Sequence, residues 1–522
     1  MAAQPDAAVT VPASAAEGPG RGRPLPSATP ASQGVDSRGI AAFLDALEAA
    51  SGFEPHSLMI LRHGKVLAQG WWAPYAPEHR QLLYSLSKSF TGTAAAFAHA
   101  EGLLRLDAPA VSYFPEFEAE IVDPGSRSIL VRHLLSMASG HSAEQWGEAL
   151  LRDRDEPVRG FLLGGPDREP GTVFAYNQPC TYTVAAIVQR ESGQRLVDYL
   201  RPRLLDPLGI GDVAWRHPGG RDQGFSGLHA TTDAIAKLGQ LYLQRGVWEG
   251  ERLLSEEWVE QATRPQVDNP GEGMDPDWEQ GYGFQFWIAR HGYRGDGAFG
   301  QYCLVLPEQD AVIAITSEVV SDMQAVLNLV WEHLLPAFDE GSVADAELAA
   351  QADAALAQRL AALSLKPAPG AAPSQSAAEK VGADGLVWAA AAGAQSPISQ
   401  VRATPCADGT GDWILTLTEA EDEQLIKDAD DGLEDFPRGT IVVRLTPGGT
   451  WNVAAPGELP TAVSGGWTDG DTLRFDIVFL ETPHRLQVTC DSEQGTVDAR
   501  FVTLMGGAIG GPPPSLLRAP RS

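Results

Sequence analysis

Lysine is scarce in this chain: six residues among 522, against 32 arginines. Cysteine is scarcer still, at four, and Cys180, Cys303, Cys406 and Cys490 lie too far apart to form a metal-type ligand cluster. Four scattered cysteines do not build a disulfide framework in a chain this long, so they read as buried thiols. There is no HExxH, no phosphate-binding Gly-rich loop ending in Lys-Ser/Thr and no GxGxxG leading from a strand into a helix. Metal and nucleotide chemistry therefore find no support, and no cofactor is expected. Positive charge is in deficit as well: the net charge is −30 and the pI about 4.7. That balance argues against nucleic acid and anionic membranes as partners. No apolar run approaches the roughly 18 residues of a membrane span. Residues 1–34 also lack the apolar core of a secretory leader, which makes the cytoplasm the expected location.

What is present is ordinary globular material, 43% hydrophobic and 20% charged, in a length that suggests two or three domains. Residues 1–34 are rich in Ala, Pro, Gly and Ser and are expected to form a disordered tail. In "DSRGIAAFLDALEAA", Asp36 can cap a helix that carries Ile40, Phe43, Leu44 and Leu47 on one face. "SLMILRHGKVLAQGWW" reads as a hairpin turning at His63-Gly64. A helix-rich middle follows, then strand-like "GYGFQFWIAR" and "GAFGQYCLVLPEQDAVIAITS", and a helix in "SDMQAVLNLVWEHLLPAF". Helix and hairpin in front, with strands and helix behind, predict one antiparallel sheet built from both ends of residues 35–342. The all-helical middle is an insertion, which makes the fold class α+β. Residues 343–382 read as an Ala-rich helix running into a Pro/Ala/Ser linker, and 383–510 as a small antiparallel β domain, barrel or sandwich.

One of the six lysines stands in "YSLSKSF", three residues after Ser85. Positions i and i+3 share a helix face, so the Ser85 hydroxyl and the Lys88 amine can meet. A helix N-terminus there favours a developing alkoxide and disfavours a charged Lys88. Burial lowers the lysine pKa further, and a neutral amine can take the serine proton. Six lysines yield such a spacing by chance about one time in three, so the setting must carry the case. Two further segments share the chemistry. "PGTVFAYNQPCTYTV" places Tyr176 and Asn177 in a loop before a helix; a tyrosine near a lysine can share its protons and an amide can orient a carbonyl. "RGDGAFGQYCLV" places four glycines within residues 292–300 ahead of a strand, where backbone amides can approach an oxyanion closely.

In this order, Ser-x-x-Lys, a tyrosine motif and a Gly-rich strand, the chain resembles the penicillin-recognising serine hydrolases, whose Ser-x-x-Lys signature is general knowledge. The resemblance spans about residues 33–340. It extends to "LRHGKVLAQGWW", "VRHLLSMASGH", "GLHATTDAIAKLGQLYL" and "LPEQDAVIAITS", and it is to the class C β-lactamase-like branch containing 6-aminohexanoate-dimer hydrolases and esterases. It implies Ser85 as the acylated nucleophile, Lys88 as its proton partner and Tyr176 as general base or relay. The backbone amides of Ser85 and Ala298 would form the oxyanion hole. Asn177, Gln178, Asp296 and Gly297 become substrate-binding candidates.

Two departures stand out. Tyr-Asn-Gln replaces the Tyr-Ser-Asn or Tyr-Ala-Asn of the β-lactamases in this branch. Neither Lys-Thr-Gly nor Ser-Asp-Asn occurs anywhere, and "GDGAFG" puts Asp296 where relatives have a cation. An aspartate there is expected to repel a substrate carboxylate by about 1–4 kcal/mol. The expected activity is therefore a metal-independent hydrolysis of a neutral or amine-bearing ester or small amide. A β-lactamase or D-amino-acid peptidase is the enzymatic alternative, and an inactive binding or scaffold homologue is the non-enzymatic one. Oligomeric state and substrate identity are not legible.

Overall fold

The computed structural model describes residues 22–269, 275–320, 322–339, 345–375, 385–420, 439–503 and 514–520, with isolated positions between them. Helix α1 (Ser37–Ala49) begins where its cap requires: the Asp36 carboxylate accepts from the Arg38 amide at 2.9 Å. Its apolar stripe, Ile40, Phe43, Leu44 and Leu47, is wholly buried. The hairpin is β1 (Phe53–Arg62) and β2 (Lys65–Trp71), with His63 and Gly64 both at positive φ in the turn. Helices α2 (Ser87–Ala100), α3 (Gln178–Ser192) and α4 (Thr232–Leu243) follow, then strands β3 (Trp287–Ala289), β4 (Gly292–Gly297), β5 (Gln301–Leu306) and β6 (Ala311–Val319).

These six strands form one antiparallel sheet in the order β2-β1-β6-β5-β4-β3. β1, from the front of the chain, pairs with β6, about 250 residues later, across nearly its whole length. Successive β1 side chains point to opposite faces, and both faces are covered. Leu58 and Ile60 pack with α1, while Met59 and Leu61 pack with the helical middle. Each such buried aliphatic contributes about 1.5–3 kcal/mol relative to exposure. The middle is not purely helical, contrary to expectation. Gln81–Leu82, Ala214–Trp215 and Leu228–Ala230 make a small three-stranded sheet, and Val247–Trp248 pairs with Glu251–Arg252. The pieces are two or three residues long, too short for periodicity to reveal.

After α5 (Met323–Leu329) and α6 (Ala346–Ala361), nine strands form a second sheet: β7 (Leu386–Ala390), β8 (Ile398–Pro405), β9 (Trp413–Glu419), β10 (Thr440–Leu445), β11 (Asn452–Val453), β12 (Thr461–Thr468), β13 (Thr472–Phe479), β14 (Arg485–Asp491) and β15 (Thr496–Phe501). Their order is β10-β9-β8-β7-β15-β14-β13-β12-β11, with β10 curling back against β12, so the sheet is barrel-like. Every pairing is antiparallel except a short parallel one between β7 and β15.

Two expected spacers are tied down instead. Residues 22–34 run along β2: the Ala28 amide donates to the Val66 carbonyl at 3.0 Å and the Val66 amide to Pro26 at 2.8 Å. The rest of the expected tail, residues 1–21, lies outside the described residues, as do 504–510 of the β domain. The linker docks on both units: Leu365 donates to Ala73 at 2.8 Å, and Ala371 and Trp467 exchange bonds at 3.0 and 2.9 Å. Composition reported its stiffness and missed its backbone partners.

The two units also share buried charge. Arg485 pairs with Glu54 and, at 3.0 Å, with Asp476. Glu318, 2% exposed, accepts from the Thr503 hydroxyl. Burial, with the Glu54 carboxylate adding to it, raises the Glu318 pKa to about 8, against the pull of Thr503 and Arg485. A carboxyl whose folded pKa exceeds its unfolded value stabilises the fold below the unfolded pKa, and that stability is lost as pH rises toward the folded pKa. Glu318→Gln should therefore gain on wild type from pH 5 to 9, by up to about 4 kcal/mol. Melting curves across that range test this, and parallel curves would refute it.

Candidate active site

Serines and threonines alternate through "YSLSKSFTGT", and each has a partner at the start of α2. The Ser87 hydroxyl accepts from the Leu228 amide at 3.1 Å. Ser89 donates to the Gln285 carbonyl at 2.9 Å, Thr91 to Gly224 at 2.8 Å, and Thr93 meets the Tyr242 phenol at 3.0 Å. The helix is thereby buried on nearly every side without orphaned hydroxyls. Ser85 lies just before it, in a 3-10 turn spanning Tyr84–Leu86, and is half-buried. The helix N-terminus expected at Ser85 thus falls two residues later, at Ser87. Tyr84 takes φ +48°, a left-handed turn that costs a non-glycine about 1–3 kcal/mol.

Lys88 is 1% exposed. Its Nζ sits 3.0 Å from Ser85 Oγ, 2.9 Å from the Phe225 carbonyl and 4.7 Å from the centre of the Tyr176 ring. Burial pulls its pKa down to about 7, opposed by the charges of Glu144 and Asp296. The Phe225 carbonyl is held by an anchored loop. Asp222, fully buried, accepts from Arg195 Nη2 at 2.8 Å and the Val197 amide at 3.0 Å, while Gly224 takes φ +70° with its α-carbon against Ala185.

Tyr176 completes the group. Its ring stacks on Trp287 at 5.3 Å and 17° and meets Tyr282 edge-on at 6.2 Å. Burial drives the phenol pKa far above its usual value, and the Asp296 charge adds to that; a side-chain hydrogen bond with Ser85 opposes it. The phenol therefore keeps its proton at neutral pH.

The third segment approaches through its backbone. A Cβ at Gly297 would lie 2.0 Å from the Leu83 carbonyl, and one at Gly295 would lie 2.5 Å from Ser89 Oγ. Only glycine lets β4 press against the Tyr84–Leu86 turn this closely. Ala298, the next residue, is half-buried there, and Phe299 takes φ +65°. Gly297 is thus a packing contact rather than an open substrate group.

Asp296 corrects an expectation. It is 7% exposed and accepts from Arg294 Nε at 3.0 Å, while Arg294, fully buried, stacks 4.2 Å over Trp278. A carboxylate with its own cation does not present a bare negative charge to substrate, so the repulsion expected from it fails. It also bonds the Trp287 side chain, which carries Tyr176. Asn177 and Gln178 are each held by a bond to the scaffold, and each keeps a buried side-chain polar atom, Asn177 Nδ2 and Gln178 Oε1, without a partner among the described residues. Asn177, fully buried, accepts from the Gln145 amide at 2.9 Å. The Gln178 backbone donates to Glu144 at 3.1 Å.

Sequence reading missed Glu144, an exposed carboxylate that also accepts from the Trp146 amide at 2.8 Å and whose field reaches Lys88. It missed the Phe225 carbonyl and the aromatic wall formed by Trp146 and Phe225, 4.7 Å apart. None belongs to a motif; the fold alone brings them together. His229 is fully buried against the Gly227 carbonyl, and His141 bonds Ser139 and Gly164. Among the described residues no group of three His, Cys, Asp or Glu is placed to hold a metal ion, and no helix is long and apolar enough to cross a membrane.

The family model "Beta-lactamase" matches residues 40–334, more than half of the chain. Among curated proteins, a 6-aminohexanoate-dimer hydrolase of Paenarthrobacter ureafaciens is 29% identical over 277 residues, 49% of this chain and 71% of that protein. Esterase EstB of Burkholderia gladioli is 27% identical over 216 residues, 36% of this chain and 55% of that one. Among solved structures, a putative 6-aminohexanoate-dimer hydrolase from Bacillus anthracis aligns with a TM-score of 0.48 at 20% identity, covering 61% of this chain and 88% of that one. The chain belongs to the Beta-lactamase family, within the penicillin-recognising serine hydrolases. Its relatives there include esterases and amide hydrolases.

Proposed function

We propose that this protein is a serine hydrolase that cleaves a carboxylic ester or small amide through an acyl-Ser85 intermediate. The observation that carries the reading is a buried amine, Lys88, with its pKa drawn to about 7 and its nitrogen 3.0 Å from Ser85 Oγ. An amine that is half neutral near pH 7 can take the Ser85 proton as Oγ attacks the substrate carbonyl carbon. The Ser85 and Ala298 amides are the proposed donors to the oxyanion. The proton then passes through the Tyr176 phenol to the departing alkoxide or amine, and the acyl group stays on Ser85. Water enters by the reverse relay: its oxygen bonds the acyl carbon, its proton passes through Tyr176 to Lys88, and Lys88 returns that proton to Ser85 Oγ as the acyl–Oγ bond breaks.

Substrate preference rests on charge and shape. Arg294, the cation nearest the third segment, is buried and engaged with Asp296, while Glu144 is exposed beside Gln178. A carboxylate-bearing substrate thus meets the exposed Glu144 and an Arg294 that is buried and ion-paired, which favours neutral or amine-bearing compounds over β-lactams. The Trp146–Phe225 wall suits an apolar group. A fluorophosphonate probe should label wild type and not Ser85→Ala, with short p-nitrophenyl esters turned over at least 100-fold faster than nitrocefin. Absence of labelling in wild type would point to a non-hydrolytic scaffold; fast nitrocefin turnover would point to a β-lactamase.

A further inference from the structure

We infer that the C-terminal β domain is a working part of this catalytic site, with His484 as a positioning residue that holds the Ser85 and Ala298 amides in register. The inference rests on the serine-hydrolase reading above. It starts from two backbone oddities: Tyr84, directly before Ser85, and Phe299, directly after Ala298, both adopt left-handed conformations with side chains that disfavour them. Such residues persist only where their surroundings over-determine them.

What surrounds both is one ring from the other domain. The Tyr84 ring meets Phe299 edge-on at 5.2 Å. His484 meets Phe299 edge-on at 5.2 Å and Tyr84 at 5.9 Å, near perpendicular in each case. The Tyr84 phenol and His484 Nε2 are 2.5 Å apart. His484 is 1% exposed, and burial keeps it neutral, its pKa lowered to about 3. The phenol keeps its proton because burial raises its pKa, so Tyr84 donates and His484 accepts at any working pH. The contact is a fixed strut and not a titrating switch.

The strut has a rigid base. His484 ends the tight turn between β13 and β14, where the Phe479 amide donates to the His484 carbonyl at 3.1 Å and Thr482 to Phe479 at 3.0 Å. The same turn runs beside the segment leading into the nucleophile. The Leu82 amide donates to the Glu481 carbonyl at 2.9 Å, the Gln81 side chain donates to Leu480, and Arg80 pairs with Glu481 at 3.6 Å. On the far side the Ser317 hydroxyl donates to the Phe299 carbonyl at 3.1 Å. The two proposed oxyanion donors therefore sit on separate elements, each flanked by a strained residue, and the His484–Tyr84–Phe299 cluster spans both. An oxyanion donor is effective only within a few tenths of an ångström of its ideal distance, so loosening this brace should fall on the transition state.

The test compares His484→Phe, which keeps a ring in the cluster, with Tyr84→Phe, which removes a single oxygen, and with His484→Gln, which keeps an acceptor. With p-nitrophenyl acetate, kcat should fall about 10- to 100-fold in both phenylalanine variants while KM stays within about twofold. Affinity for phenylboronic acid, whose tetrahedral adduct puts an oxygen in the hole, should fall by the same factor. The midpoint of the rising pH limb should not move, because Lys88 is untouched, and His484→Gln should recover most of the rate. Tyr84→Phe alone decides the matter where His484→Phe does not fold. Unchanged kcat and boronate affinity in a folded variant would overturn the inference. Absence of probe labelling at Ser85 in wild type would instead overturn the hydrolase reading beneath it.

Discussion

Lys88→Met should fold normally and lose at least a thousandfold in kcat/KM for p-nitrophenyl esters. The substituted chain is close in length and unbranched, so the space beside Ser85 and Phe225 stays filled. What disappears is, among the described residues, the group within reach whose protonation state suits removal of the serine proton. The amine titrates at about 7, whereas the phenol is held far above its usual range. General-base assistance alone is worth about 10²–10⁴-fold, and an unassisted serine hydroxyl is a weak nucleophile. Stability should hold or rise, because burying an ammonium is costly even when its neighbours compensate. The wild-type pH profile carries the matching signature. Lys88 accepts a proton only when neutral, so kcat/KM should climb with pH, pass half its plateau near 7 and level off above. A flat profile from about pH 5 to 9, or a methionine variant within about tenfold of wild type, would remove Lys88 from the mechanism.

Gly297→Ala should cut kcat about 100-fold or more and destabilise the fold by about 2–4 kcal/mol. The added methyl would stand 2.0 Å from the Leu83 carbonyl oxygen and 3.1 Å from the Leu86 amide. These are backbone atoms and cannot rotate aside, so either β4 or the Tyr84–Leu86 turn must retreat by roughly 1 Å or more. Ala298 follows directly, and its amide moves with the strand. Gly147→Ala is the control. It lies in a short helix near the site with nothing within 4 Å of a new methyl, and should be neutral or more stable by about 0.5–1 kcal/mol. Kinetics and thermal melts of the two variants separate these outcomes, and an active, stable Gly297→Ala would show that the strand does not set the site.

Much of the candidate site was legible in local pattern. The Ser85–Lys88 spacing is a helical one, and the 3-10 turn running into α2 brings the two groups within 3.0 Å. Asp36 and the His63-Gly64 turn were readable because caps and tight turns depend on neighbours a few residues away. Asp296 shows where that stops. Its charge was plain in "GDGAFG", but its effect was set by burial, by Arg294 two residues earlier on the same face of β4 and by Trp287 on the next strand. Glu144, the Phe225 carbonyl and His484 gave no signal, because each acts on residues 56 to 400 positions away along the chain.

From sequence alone this protein had its reactive hydroxyl and amine, the tyrosine segment and the glycines, since those depend on residue type and short-range geometry. Tertiary structure alone decided that Lys88 is sealed from water, that Asp296 is buried against Trp287 and that the β domain reaches Tyr84. Burial and pairing are properties of the space around a group, and that space is filled by chain segments whose proximity no local pattern encodes.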